Sequence, residues 1–238
     1  MIRAEEVVGA VLATLEREPR VNVHEYPIQI DYDNGVITLA GEVSGVAAKK
    51  LVLELAAAPR PVTGVVDRLR VAPAERMEDG AIRDHVCNAL LSENSFDGYS
   101  VRALVKQEIE PVRSVDSRYR LDVEVTEGVV ILNGMVESIS HKRMAGVLAW
   151  WVPGSRDVVN GLEVSPVMED NDEEVADILR LVLEKDPMVN SSQLRPSCRD
   201  LVVTLEGMVA SESARDAAEA DAWFLFGVNG VVNRITVG

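Results

Sequence analysis

The chain has no long apolar run, few aromatic side chains, two cysteines and a shortage of positive charge, and each scarcity closes off a class of answers. No stretch approaches the length of a membrane span. The N-terminus, Met-Ile-Arg-Ala-Glu-Glu-Val-Val, puts acidic residues where a signal peptide has its basic region, and no long apolar segment follows. As it stands the sequence reads as cytoplasmic, or as periplasmic if a leader has been removed. Cys87 and Cys198 occupy unrelated positions, so neither a disulfide framework nor a zinc site is indicated, and two free thiols in a reducing compartment are expected. Aromatics make up 4% of residues against 47% hydrophobic overall, so the cores must be built from Val, Leu, Ile and Ala. Lys and Arg number 24 against 39 Asp and Glu, a formal net charge of -15. That balance argues against nucleic acid as a partner, because such affinity rests on cations neutralising phosphates. It also disfavours simple electrostatic adhesion to an anionic membrane.

What the sequence does have is a repeat. Segments 34–71, 127–164 and 200–237 align without a gap and share their punctuation. Each opens with a short apolar strand ending in glycine: Ile-Thr-Leu-Ala-Gly (37–41), Ile-Leu-Asn-Gly (131–134) and Val-Val-Thr-Leu-Glu-Gly (202–207). A helical run follows, and each copy closes on an alternating segment, Val-Val-Asp-Arg-Leu-Arg-Val (65–71), Val-Val-Asn-Gly-Leu-Glu-Val (158–164) and Val-Val-Asn-Arg-Ile-Thr-Val (231–237).

Ahead of each copy lies a further helix, with Val7, Val11, Leu12 and Leu15, then Ile82, Val86, Ala89 and Leu90, then Val175, Ile178, Leu179, Val182 and Leu183 at helical spacing. An alternating strand comes next. Asn34-Gly35 and Glu127-Gly128 then predict tight hairpin turns, since both central residues of such a turn need positive φ. The third copy carries Pro196 in this strand, which predicts an edge or frayed strand. Each unit therefore reads helix, strand, strand, helix, strand. The fold class is α+β: three tandem αββαβ units, each with two helices on one face of a three-stranded mixed sheet. The units are expected at 1–75, 76–168 and 169–238.

Two connections break the pattern. The second unit carries an insertion at 98–118, whose Val101, Leu104, Val105 and Ile109 suggest a strand or short helix docked on a neighbour. The acidic joint Met-Glu-Asp-Asn-Asp-Glu-Glu (168–174) reads as a solvated linker running into a helix, lacking the alternation and glycine of a calcium loop.

The run Val-Thr-Leu-Glu-Gly-Met-Val (203–209), then Ser-Glu-Ser-Ala-Arg-Asp-Ala-Ala-Glu-Ala (211–220), then Gly-Val-Asn-Gly-Val-Val-Asn-Arg-Ile-Thr-Val (227–237) resembles the BON domain of bacterial osmotically inducible and nodulation proteins. The second copy matches through Leu-Asn-Gly-Met-Val (132–136) and 153–162. The first keeps Gly-Glu-Val (41–43) and Gly-Val-Val (64–66) but has Pro61 where the others have Gly154 and Gly227. The resemblance implies the same α+β unit, no catalytic residues, and roles in the envelope, in osmotic or other stress, and in phospholipid binding or assembly.

No cofactor, metal or catalytic constellation is indicated. His24, His85 and His141 stand alone, without a nucleophile arranged beside them. The glycines fit neither a P-loop nor a dinucleotide fingerprint, and Gly41, Gly134 and Gly207 serve backbone geometry. One feature stands out. Trp150 and Trp223 share a slot on the second helix of their units, opposite its core-facing stripe, with Trp151 and Phe224 beside them. Indole outside a domain's own core marks an interface or a ligand contact, unless it folds back under a loop. Contact between repeats or subunits is favoured over an accessible lipid site. The expected function is a non-enzymatic bacterial binding module for phospholipid or a protein partner; the alternative is a structural protein that assembles into a homo-oligomer.

Overall fold

The structure, a computed structural model, describes residues 3–167 and 169–238, so the start of the N-terminal segment and the first residue of the acidic joint, Met168, lie outside the described residues. The chain forms two compact units, 1–72 and 73–238.

In the first unit, α1 (Ala4–Arg17) precedes β1 (Ile28–Asp33), β2 (Val36–Val43), α2 (Val46–Ala57) and β3 (Gly64–Val71). Strands β1 and β2 pair antiparallel around Asn34 and Gly35, whose φ values of 47° and 90° are those the Asn-Gly pair predicts. Strand β3 returns parallel to β2 after the helical crossover. Val7, Val11 and Leu15 of α1 and Val52 and Ala56 of α2 meet Ile37, Leu39 and Leu69 of the sheet, all at most 3% exposed. Each of these Val, Leu and Ile side chains stabilises the fold by roughly 1.5–3 kcal/mol relative to exposure.

In the second unit the expected second and third repeats share one apolar core. The second repeat runs α3 (Asp79–Ser92), β4 (Ser100–Val105), β5 (Glu108–Arg113), β6 (Arg120–Thr126), β7 (Val129–Val136), α4 (Ile139–Trp150), β8 (Asp157–Asn160) and β9 (Glu163–Val164). The third runs α5 (Asp172–Lys185), β10 (Leu194–Arg199), β11 (Val202–Val209), α6 (Glu212–Phe224) and β12 (Gly230–Val237), again as a three-stranded mixed sheet.

The insertion is neither a helix nor a strand laid on a neighbouring repeat. It is the hairpin β4–β5, which joins the repeat's own sheet with β4 parallel to β6. Val101 and Ala103 enter the core, and outward-facing Arg102 forms a bidentate pair with Asp122 at 2.6 and 2.7 Å. Aromatic contacts seat it: Tyr99 lies edge-on to Phe96 at 5.3 Å and stacks with Tyr119 at 5.4 Å and with His141 at 5.5 Å. The final strand of this repeat breaks between β8 and β9, which together with the inserted β4 and β5 brings the sheet to six strands where its siblings have three.

The repeated glycines do not end their strands, as the sequence pattern suggests. Gly41, Gly134 and Gly207 lie two residues before the last residues of β2, β7 and β11, with φ of 132°, 120° and 131°. A Cβ on Gly41 would stand 2.5 Å from the Pro27 carbonyl oxygen. Only glycine suits both the dihedral and the approach. We expect Gly41→Ala to destabilise the first unit by at least about 2 kcal/mol, whereas Gly9→Ala, in open space on α1, should be neutral or stabilising by up to about 1 kcal/mol; denaturant midpoints of the two variants check this.

Candidate interface and binding groove between the second and third repeats

Helix α4 is where the second and third repeats meet. Residues 144–151, Met-Ala-Gly-Val-Leu-Ala-Trp-Trp, hold no charge, and a helix apolar on all faces is one buried on all faces. Ile139 and every residue from Arg143 to Ala149 are buried. The helix packs on α3, β7 and β8 of its own repeat and on α5 and α6 of the next. Trp150 stacks on Phe224 of α6, with ring centroids 5.2 Å apart and planes 11° apart. Trp151 donates its Nε1–H to Asp221 Oδ1 at 2.8 Å. Trp223 is half-buried against the shared core.

A charge sits inside this apolar contact. Arg143 is fully buried; its Nε–H donates to the Phe226 carbonyl at 2.9 Å, and Nη2 reaches both Asp170 oxygens at 2.8 and 2.6 Å. One guanidinium thus ties the second repeat to the loop after α6 and to the joint before α5. The joint is therefore not simply a solvated linker: Asp170 is held by the buried cation, and Asn171 caps α5 by accepting from the Glu174 N–H at 2.9 Å. Arginine suits this place because its planar fork matches a carboxylate and is always charged.

Beside the clasp lies an open groove of about 480 Å³ lined by Ile139, Lys142, Leu162, Glu163, Val164, Val167 and Phe226. The Lys142 ammonium stands 3.8 Å from the Phe226 ring centroid. Burial lowers the Lys142 pKa, and among the described residues Lys142 makes no ion pair.

The family model described as "BON domain" matches residues 4–73, 100–166 and 171–238. The chain belongs to the BON domain family. It is 29% identical over 143 residues to the osmotically-inducible protein Y of Escherichia coli (strain K12), covering 60% of this chain and 64% of that protein, just under two thirds of its length. Among solved structures, the C-terminal domain of CdsD, a structural protein of the type III secretion system of Chlamydia trachomatis, aligns over 100% of both chains at 15% identity with a TM-score of 0.25. A second CdsD structure aligns over 98% of this chain and 92% of that one at 14% identity and the same score, too low to carry an argument.

Comparison of the three BON copies shows what the sequence reading missed. Arg143 takes the slot of Lys50 and Asp216, and Asp221 that of Leu55 and Leu148. Within the repeat these are ordinary variable positions; their partners come from the neighbouring copy, so periodicity inside one copy does not reveal them. The uncharged run at 144–151 was the available signal. Asp221 is 1% exposed, its second oxygen has no hydrogen-bond partner among the described residues, and the Asp186 carboxyl at the end of α5 is a neighbour. Burial and that neighbouring carboxylate push its pKa up to about 8, against the pull of the Trp151 N–H.

A carboxyl whose pKa is raised on folding favours the native state at low pH and loses that advantage as pH climbs through the folded value. The second unit should therefore lose stability between about pH 4, where a free Asp titrates, and about pH 8. Asp221→Asn should flatten this slope, so that the gap in Tm between variant and unaltered chain is larger at pH 8 than at pH 5. Removing the buried cation with Arg143→Ala should destabilise the unit by about 3 kcal/mol, as expected for breaking a buried pair, read from its denaturant midpoint.

Proposed function

We propose that this BON protein is a non-enzymatic binding module of bacterial stress or envelope physiology, and that its groove between the second and third repeats takes the anionic headgroup and adjoining acyl carbons of a phospholipid. The observation that carries this reading is Lys142: an ammonium without an ion-pair partner among the described residues, resting on the Phe226 ring at the edge of an apolar groove. A cation held over an aromatic face keeps its charge available to an incoming phosphate. The apolar wall of Ile139, Leu162, Val164 and Val167 offers the hydrocarbon part a surface that water covers poorly. Trp150 and Trp151 hold α4, which carries Ile139 and Lys142 of the groove, against α6. The likeness to an osmotically inducible protein supports the physiological setting. Among the described residues no helix is long and apolar enough to cross a membrane.

Co-sedimentation with phosphatidylglycerol vesicles at low salt tests the reading, with phosphatidylcholine vesicles for comparison. The unaltered chain should prefer the anionic vesicles, and Lys142→Glu should weaken that binding about thirtyfold, the effect of two units of charge at roughly 1 kcal/mol each. Equal binding by the variant, or none by the unaltered chain, removes the phospholipid reading.

A further inference from the structure

The three BON copies treat one sheet edge in three different ways. In a two-residue hairpin the residues flanking the turn are hydrogen-bonded to each other, and main-chain groups then alternate between the two sides of the strand. Thr126 and Val129 flank the turn of the second repeat, so Asp122, Glu124 and Thr126 bond to β7 while Leu121 and Val123 point their N–H and C=O groups the other way. There β4 receives them, and the bond from Ser100 N–H to the Tyr119 carbonyl at 3.2 Å starts that ladder. Leu121 and Val123 are completely buried as a result.

The same count applies to the siblings. In the third repeat Arg199 and Val202 flank the turn, so Leu194, Pro196 and Cys198 face outward, and Pro196 removes the donor that Val123 supplies in its slot. The hairpin β4–β5 is guarded in the same way. Val105 and Glu108 flank its turn, and Ile109 and Pro111 face away from β4. A proline on an outer edge is a common defence against unwanted strand pairing.

Strand β1 of the first repeat has no such guard. Asp33 and Val36 flank its turn, so the main-chain groups of Ile28, Ile30 and Tyr32 face outward, and no proline stands among them. It is the outermost strand of its sheet. Ile28, Ile30 and Tyr32 are only half-buried, where Leu121 and Val123, in the slots of the first two, are sealed by β4. The face beside them is acidic, with Asp31 and Asp33 exposed. Pairing of β1 with β1 of a second copy would bring these carboxylates together, which disfavours self-association.

We infer that the β1 edge of the first repeat is a docking site for an extended segment of a partner protein, added parallel to β1 as β4 is added to β6. The chain itself specifies the chemistry of that segment. Small apolar side chains at alternate positions would cover Ile28 and Ile30, as Val101 and Ala103 do within the second repeat. Basic side chains on the other face, beyond the position opposite Gln29, would meet Asp31 and Asp33 as Arg102 meets Asp122. Main-chain hydrogen bonds supply affinity and the alternating side chains supply selectivity. This inference stands apart from the groove and from phospholipid.

A synthetic peptide with the sequence of residues 99–106, Tyr-Ser-Val-Arg-Ala-Leu-Val-Lys, is the probe, titrated against the full chain by fluorescence anisotropy and followed by amide hydrogen exchange. Saturable one-to-one binding is expected, with slowed exchange at Ile28, Ile30 and Tyr32. Ile30→Pro copies the residue that the third repeat already accommodates at this slot, so cooperative unfolding should persist while peptide binding weakens at least about tenfold, the equivalent of one hydrogen bond. Replacing the peptide's lysine, which falls opposite Asp33 in this register, by glutamate should weaken it as well. Undiminished binding to Ile30→Pro, no binding to the unaltered chain, or amides at Ile28, Ile30 and Tyr32 that exchange as slowly in the free chain as that of Val123 would each overturn the inference.

Discussion

A guanidinium with no exposed surface, Arg143, is the interaction on which the larger unit depends. Burying a charge is costly unless a partner of opposite sign and good geometry comes with it. Here that partner, Asp170, belongs to the joint between repeats, and the further acceptor, the Phe226 carbonyl, belongs to the loop after α6. The cation therefore meets these partners only when the third repeat is docked. Apolar packing of α4 against α5 and α6 provides the larger share of the adhesion. The guanidinium fixes which loop and which stretch of joint lie beside it, and so shapes the wall that Phe226 gives to the groove.

The same constraint explains how much could be read from the sequence. Features that repeat within one copy were legible: the strand pairs from Asn34-Gly35 and Glu127-Gly128, the core stripes, the glycines in the second strand, and the αββαβ order itself. The charged ties between copies were not. In the alignment with its siblings Arg143 looks like surface variation and Asp221 like a carboxylate out of place in a leucine slot, because the group that satisfies each lies some distance away in the chain. The insertion was visible as extra length, but its helical spacing of apolar residues hid an alternation in which Val101 and Ala103 face inward. Short apolar runs cannot be assigned by period alone.

Divergence among the copies also follows a physical logic. Asn160 and Asn233 each accept a main-chain N–H two residues on, and each sends its amide to a carbonyl of the second helix, Lys142 or Arg215. The first copy has Asp67 instead, which keeps the acceptor, receiving the Leu69 N–H at 2.9 Å, but lacks the amide donor. Lys49 of α2 supplies the tie from the other side, its buried ammonium 3.0 Å from both the Asp67 carboxylate and the Leu69 carbonyl. Helix and strand remain joined in all three copies, through different atoms.

The all-round burial of α4 bears on the order in which the chain can mature. Synthesis proceeds from the N-terminus, and the first repeat is complete with its own core long before the rest has been made. The second is not in that position. When α4 emerges, the flank that will meet α6 is bare, and it stays bare until the ribosome has added the residues through Phe224. During that interval the nascent polypeptide presents Trp150 and Trp151 to its surroundings. Emergence of α6, rather than completion of the second repeat, is what closes the larger body.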